Sequence, residues 1–487
     1  MLFSSVTFLL FFLPAVLVFY YALPNLTYKN CVLFLASLLF YAWGEPKFVF
    51  LMLASIVFNY NMGLFLGNEA ARRKSILAFA VIVNLAVLFV FKYLGFSCKI
   101  IDIFLNALHL RPLVALNLIM PIGISFYTFQ SISYLVDVYR NPGLAQKNIL
   151  HLGLYITFFP QLIAGPIVRY HDINEQISAR TVTVSQFALG LERFIVGLSK
   201  KVLLANNFAF VCDSIYGASF FSYGTQTAWI AALAYSLQIY YDFSGYSDMA
   251  IGLAKLFGFD LRENFNYPYA ATSITDFWRR WHISLTSFFR DYVYIPLGGN
   301  RRGKARTALN RFIVFFATGL WHGAAFNFIL WGLAHGTLMT VERWRHGQPK
   351  VQEAKKRGFV TAVLGRIYTL LSVMLLWVLF RNGTKTTTKL LLKMVGVNYT
   401  CLNSEFIPLW TNELLSLVIS TKFYILAAAG ILLAFPWRQR IPFLHTKNNV
   451  AATLLCAAKY LALGCLFVLC YASLADSSYN PFIYFRF

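Results

Sequence analysis

Runs of about 20 apolar residues, the length needed to cross the hydrocarbon core of a bilayer, recur from Met1 to Ala475. Much of the basic charge between them sits in short loops: Arg72-Arg73-Lys74, Arg301 to Arg311, Arg343 to Arg357 and Arg438 to Lys447. Inside a bilayer every backbone polar group has to be satisfied within the protein, so runs of this length form helices. The expected fold class is therefore all-α, a polytopic transmembrane helical protein of about 11–13 membrane segments, some of them re-entrant. Charged residues make up 13% of the 487 residues, where a soluble domain carries about 25%. No stretch is both long and polar enough to fold separately in water, so residues 1–487 read as a single membrane domain.

The net charge of +23 comes from 42 Lys and Arg against 19 Asp and Glu. In a soluble protein that excess would suggest nucleic acid. Here it sits in short loops between apolar runs, which places those loops in the cytoplasm and implies no nucleic-acid partner. Contact with anionic membrane lipids is a secondary role for the same residues. The cysteines at 31, 98, 212, 401, 456, 465 and 470 are scattered, with no CxxC and no Cys/His cluster of zinc spacing. They read as small packing residues, and no metal site is expected. Met1 to Ser5 lack the charged region and cleavage site of a signal peptide, so a retained first helix is expected.

Polar residues inside apolar sequence are the next signal. Asn59, Asn61 and Asn84 fit hydrogen bonds between helices. Between Met120 and Tyr134, Ser125, Thr128, Gln130, Ser131 and Tyr134 punctuate the run. They cannot all face lipid, so they line a helix interface or a wet cavity. Pro160 and Pro166 bracket a segment too short for a full helix, which predicts a broken or re-entrant piece buried in protein. Asp242 and Asp248 have no basic neighbour in sequence. Asp248 suits a helix cap, and Asp242 an ion pair with Arg279 or Arg280.

Ionisable and aromatic residues crowd together only between Asp276 and His335, and such residues at membrane depth mark functional cavities. On one continuous helix Trp278 and His282 share a face, as do Asp276 and Arg280, with Arg279 within a turn of both Asp276 and His282. Thr275 is a candidate cap. Desolvated together, these charges would orient the His282 imidazole. His322, between Trp321 and Gly323, has no ionisable neighbour nearer than Arg311 and Glu342. A histidine buried without an anion stays neutral, and a neutral imidazole accepts a proton as a general base does. Gly323 would leave room for a substrate beside the ring. On spacing alone, a hydrogen-bonded interior histidine fits His282 and His322 equally well, and it is the favoured reading for His335. No GxSxG elbow, P-loop or HExxH is present.

Trp278-Arg279-Arg280-Trp281-His282-Ile283-Ser284-Leu285 and Trp321-His322-Gly323 resemble the motifs of the membrane-bound O-acyltransferase (MBOAT) family, and within it the bacterial alginate O-acetyltransferase branch. Pro121 to Phe126, Phe159 to Pro166, Asp242 to Asp248 and the tail from Pro481 to Phe487 add to the likeness, which is closest over residues 120–340. The resemblance implies a funnel of helices in a bacterial inner membrane, with catalytic histidines His322 and His282 at a constriction. Asp276, Trp278, Arg279, Trp321 and Gln130 are the expected substrate-binding residues. Phe482, Tyr484 and Phe485 of the aromatic tail would bind a partner, although an interfacial anchor accounts for such a tail equally well. The implied reaction moves an acetyl group from a cytoplasmic thioester such as acetyl-coenzyme A, with no tightly bound cofactor. It serves O-acetylation of an extracytoplasmic polysaccharide such as alginate, together with an extracytoplasmic acyltransferase or esterase-like partner protein. D-alanyl transfer to teichoic acid shares the motifs. An acyl-histidine intermediate is the variant mechanism.

Two non-enzymatic classes compete with this reading. A transporter also has many spans and broken helices, but no internal repeat is visible. A scaffold for an outside enzyme would explain the aromatic tail but not Trp321-His322-Gly323.

Overall fold

The computed structural model describes residues 1–68, 72–113, 118–218, 224–346, 358–397, 418–437, 449–476 and 479–483. Tyr484 and Phe485, expected to meet a partner, lie outside the described residues, as do Cys401 and residues 347–357 and 438–447 of the basic loops. Among the described residues all regular structure is helical, beginning with α1 (Leu13–Ala22), α2 (Leu26–Ala42), α3 (Phe48–Asn68), α4 (Arg73–Leu88) and α5 (Leu94–Ala107). The middle of the chain forms α6 (Ile124–Arg140), α7 (Ile149–Thr157), α8 (Phe159–Leu162), α9 (Tyr170–Ser178), α10 (Val184–Ser199), α11 (Asn206–Gly217) and α12 (Thr225–Leu256). Next come α13 (Ile274–Arg280), α14 (Ile283–Phe289), α15 (Gly303–His322), α16 (Phe326–His346), α17 (Phe359–Arg381) and α18 (Thr384–Met394), and finally α19 (Thr421–Leu433) and α20 (Asn449–Asp476). Among the described residues five stretches are long and apolar enough to cross a membrane: Phe48–Asn68, Arg73–Ala107, Val184–Gly217, Phe359–Arg381 and Thr453–Asp476. Phe8–Ala22, Leu26–Ala42 and Thr421–Leu433 are shorter apolar helices.

Helix α12 is the central post, and each of its residues from Ala234 to Ala254 is buried. A helix wrapped by protein on all sides carries polar groups only where neighbours satisfy them. Asp242 Oδ1 lies 2.7 Å from Lys201 Nζ, and both side chains are buried. Asp242 Oδ2 accepts the Ile483 N–H at 2.8 Å, while Lys201 donates to the Pro481 carbonyl. The expected partners of Asp242, Arg279 and Arg280, lie elsewhere: Arg279 is exposed, and Arg280 holds Asp276 at 3.1 Å. Asp248 is not a cap. It sits inside α12 and pairs with Arg193 at 2.6 Å and Lys200 at 2.5 Å. Sequence neighbours could not reveal these pairs, because the partners come from α10 and the π-helical turn Lys200–Ala205 that follows it.

Close approach of α10 to α12 brings these charges within reach. Gly197 and Gly245 face one another, and a Cβ on either would press into the other's backbone carbonyl. Gly190 and Gly252 repeat the arrangement along the same helix pair. Small residues at such crossings let membrane helices pack backbone to backbone. Helix α10 starts at a capping box: Gln186 N donates to Thr183 Oγ1 at 3.2 Å, and Thr183 N donates to Gln186 Oε1 at 3.1 Å.

The Pro160–Pro166 segment is the buried, broken piece that its prolines predict. Its only helix is the single turn α8, whose residues are all buried. The backbone donors freed there find hydroxyls on other helices: Phe159 N donates to Ser37 Oγ and Ile167 N to Ser284 Oγ, each at 3.0 Å. Asn59 and Asn84 join α3 to α4 through reciprocal amide bonds of 3.2 and 2.8 Å. Asn61 bonds its own helix, to the Val57 carbonyl at 2.8 Å.

Two expected outcomes test this framework by thermal unfolding of the detergent-solubilised protein. Lys201→Met strands a buried carboxylate and should cost about 3–5 kcal/mol, and the double change with Asp242→Asn should recover most of the loss. Gly197→Leu should force α10 from α12 at a cost of about 1–3 kcal/mol or more. An unchanged melting temperature in either case would contradict the packing described here.

Candidate active site

His322 is the last residue of α15, which Gly323 ends in an extended conformation. The tight turn to α16 folds Phe328 back, so that a Cβ on Gly323 would run into the Phe328 ring. The space beside Gly323 is therefore filled by the hairpin's own packing and is not open to a substrate, contrary to expectation. His322 is 8% exposed. It is walled by Trp321, Trp331 and Phe380 at ring-centroid distances of 4.9, 5.2 and 5.1 Å, all edge-on. Its Nδ1 is buried with no hydrogen-bond partner among the described residues.

His282 is completely buried, and its ring centroid lies 6.5 Å from that of His322. Trp321 packs against it too, at 5.8 Å. The backbone of His282 adopts the left-handed conformation, φ 47° and ψ 52°, in the break between α13 and α14. A non-glycine residue is held there at a cost of about 1–3 kcal/mol, and such residues cluster at functional sites. Asn264 Oδ1 accepts from His282 Nδ1 at 3.1 Å, and from Ser284 N at 3.2 Å and Ser284 Oγ at 2.8 Å. Asn264 Nδ2 in turn donates to Ser247 Oγ of α12 at 3.0 Å. In a neutral ring with its proton on Nδ1, Nε2 carries the lone pair.

This break separates the residues that a continuous helix would have brought together. Trp278 and His282 do not share a helix face, because α13 ends at Arg280. Ser273, not Thr275, caps α13 by accepting from Asp276 N at 3.0 Å, while Thr275 donates its hydroxyl to Glu342 at 2.6 Å. Asp276 and Arg280 form a half-exposed pair and Arg279 is exposed, so none of the three reaches the histidines. Trp278 is buried and donates to His335 Nδ1 at 3.2 Å. His335, also fully buried, is part of this aromatic packing, the hydrogen-bonded interior histidine expected of it. Gln130 is buried on α6, where its main-chain carbonyl accepts from the Tyr155 hydroxyl at 3.3 Å. Phe482 is buried and stacked on Tyr246, with ring centroids 4.8 Å apart, so it presents no free surface to a partner.

A cavity of about 200 Å³ opens against His322 and Trp321, bounded also by Lys92, Ser125, Phe126, Ile163 and residues 120–124. Gln130 and Trp278 are not among its lining residues. Phe129, stacked between Phe288 at 4.3 Å and Trp321 at 5.9 Å, fixes the indole that forms its wall. Lys92 is the residue that sequence reasoning passed over. The signal was present, a lone lysine in the apolar run Phe89-Val90-Phe91-Lys92-Tyr93, of the kind that membrane depth makes costly. Among the described residues no group of histidines, cysteines and carboxylates could hold a metal ion.

Residues 35–382 match the model of the membrane-bound O-acyltransferase family. The chain is 44% identical over 384 residues to the Probable alginate O-acetylase AlgI of Azotobacter vinelandii, covering 78% of this chain and 75% of that protein. It is 33% identical over 530 residues to the Peptidoglycan O-acetyltransferase of Helicobacter pylori, covering 100% and 98%. A Teichoic acid D-alanyltransferase of Bacillus subtilis is 33% identical over 252 residues, covering 47% and 61%. The chain with this pair of buried histidines is a multi-pass membrane acyltransferase and belongs to the membrane-bound O-acyltransferase family.

Proposed function

We propose that this protein moves an acetyl group from a cytoplasmic thioester, acetyl-coenzyme A, outward for O-acetylation of an extracytoplasmic polysaccharide such as alginate. The observation that carries the reading is buried His322, with an unpartnered ring nitrogen, on the wall of a cavity. Helix geometry supports the direction of transfer. Both α15 and the α4–α5 rod rise from basic loops that the charge rule puts in the cytoplasm. Following either helix from Arg302 to His322, or from Arg72 to Lys92, covers about 30 Å at 1.5 Å per residue. The cavity thus lies toward the extracytoplasmic half of the membrane, and the membrane is the bacterial inner one.

His322 takes the proton of an acceptor hydroxyl as its oxygen bonds to the thioester carbonyl carbon. The C–S bond then breaks, and the departing thiolate takes that proton. His282, held by Asn264, is a positioning residue that acts through Trp321, which packs against its ring and lines the cavity. The acetyl group and a sugar acceptor are supported by the named alginate and peptidoglycan O-acetylating relatives, which match more of the chain than the D-alanyltransferase does. An extracytoplasmic partner protein completes transfer to the glycan.

Cells carrying wild type, His322→Ala or no gene, with membrane protein levels matched, test the reading through the acetyl ester content of their surface polysaccharide. His322→Ala should fall to the level without the gene, since losing the base costs at least ~10²-fold. Normal acetylation in that variant would rule out the mechanism. A gene deletion that leaves acetyl unchanged but removes D-alanyl ester would move the protein to the other acyl group. Asn264→Ala should lower turnover of acetyl-coenzyme A about tenfold, given what orienting partners contribute. Asn264→Asp, which keeps the acceptor oxygen, should regain most of it. Equal activities for Asn264→Ala and wild type would remove Asn264 from the site.

A further inference from the structure

One charged group on the wall of the cavity has no task in the chemistry above. Lys92 falls in the π-helical turn Phe89–Tyr93, which interrupts the rod running from α4 into α5. Turns of this kind insert an extra residue and recur at functional sites. From there the ammonium donates to the main-chain carbonyl of Trp321, the residue next to His322, and to Ser125 Oγ at 3.2 Å. It also stands 5.9 Å from the centroid of the Trp321 ring. An ammonium has three donors, and two are accounted for by these neutral acceptors.

Compare Lys201, on the π-helical turn Lys200–Ala205, which is matched by Asp242 at 2.7 Å. No carboxylate pairs with Lys92 among the described residues, whose ion pairs lie elsewhere. A cation at membrane depth without a counter-ion, lining the cavity that His322 also lines, is suited to a negative charge that exists only transiently. Acyl transfer creates one. When the acceptor oxygen bonds to the thioester carbonyl carbon, the C=O electron pair moves onto the carbonyl oxygen while the proton goes to His322. When the C–S bond breaks, that pair re-forms the carbonyl.

We propose that Lys92 is a catalytic residue of this site, its ammonium facing the acyl carbonyl oxygen as that oxygen becomes anionic. A fixed positive charge already aimed at such an oxygen stabilises it without reorganising during the reaction. The assignment rests on the His322 reading above. It differs from a purely mechanical role, in which Lys92 would only prop the Trp321 carbonyl and so steady the end of α15.

Lys92→Gln and Lys92→Arg separate the two roles. Glutamine still donates a hydrogen bond to the Trp321 carbonyl but carries no charge, and arginine restores the charge. Thiol release from acetyl-coenzyme A by the purified, detergent-solubilised protein should fall ~10²-fold or more in kcat for Lys92→Gln, as when an oxyanion donor is lost. KM and melting temperature should stay near wild type, and Lys92→Arg should recover part of kcat. A wild-type rate in Lys92→Gln would overturn the proposal. So would a Lys92→Arg variant no more active than Lys92→Gln. A wild type that releases no thiol counts against acetyl-coenzyme A as donor and not against Lys92. The same variants are then ranked by cellular ester content, with the same two outcomes decisive.

Discussion

A charge buried in this bundle keeps its place because another part of the same chain meets it. Burying an unpaired ion costs several kcal/mol, and the helices are arranged to avoid that cost. Lys201 meets Asp242, and Asp248 is shared between Arg193 and Lys200. Beneath the loop after α8, Asp137 accepts from Tyr292 at 2.9 Å and lies 2.8 Å from His171, while Arg169 spans Asp172 and Asp291. The cavity beside His322 is lined by two groups without such a match. His322 Nδ1 has no partner there, and Lys92 has only neutral ones.

Departures from regular helix place these groups. His282 comes to pack against Trp321 and His322 where the chain turns left-handed between α13 and α14. His322 reaches its wall because α15 stops there and Phe328 closes the hairpin behind it. Among the described residues three of the four π-helical turns, Phe89–Tyr93, Lys200–Ala205 and Arg290–Tyr294, carry an ionisable residue used inside the fold, Lys92, Lys201 and Asp291, while Phe8–Phe12 is wholly apolar. A uniform helix repeats its faces every turn, whereas a widened turn shifts the register and lets one polar side chain point away from its apolar neighbours.

Legibility in the sequence followed the range of the interaction. His322 and Trp321 were legible because an isolated histidine in apolar sequence is a local anomaly. The short Pro160–Pro166 segment was legible because proline acts on its own backbone. Asp276 and Arg279 were read into the site by extending helical periodicity through Trp281 and His282, where the helix in fact breaks. The partners of Asp242 and Asp248 were not legible, since they lie on α10 and the turn after it, set by a glycine-to-glycine crossing. Lys92 was as anomalous in sequence as His322. Its meaning depends on a carbonyl 229 positions further along the chain.

The sequence by itself determined that this protein is a helical membrane enzyme of a particular family. Hydropathy and charge add up residue by residue, and the histidine motifs are contiguous. Only the tertiary structure decided that His282 and His322 lie 6.5 Å apart and that Asn264 holds one of them. It also decided that Asp276 and Arg279 stay outside while Lys92 comes in. Electrostatic and hydrogen-bonding partnerships act over a few ångströms of space. Spacing along the chain carries no record of that distance once a helix breaks.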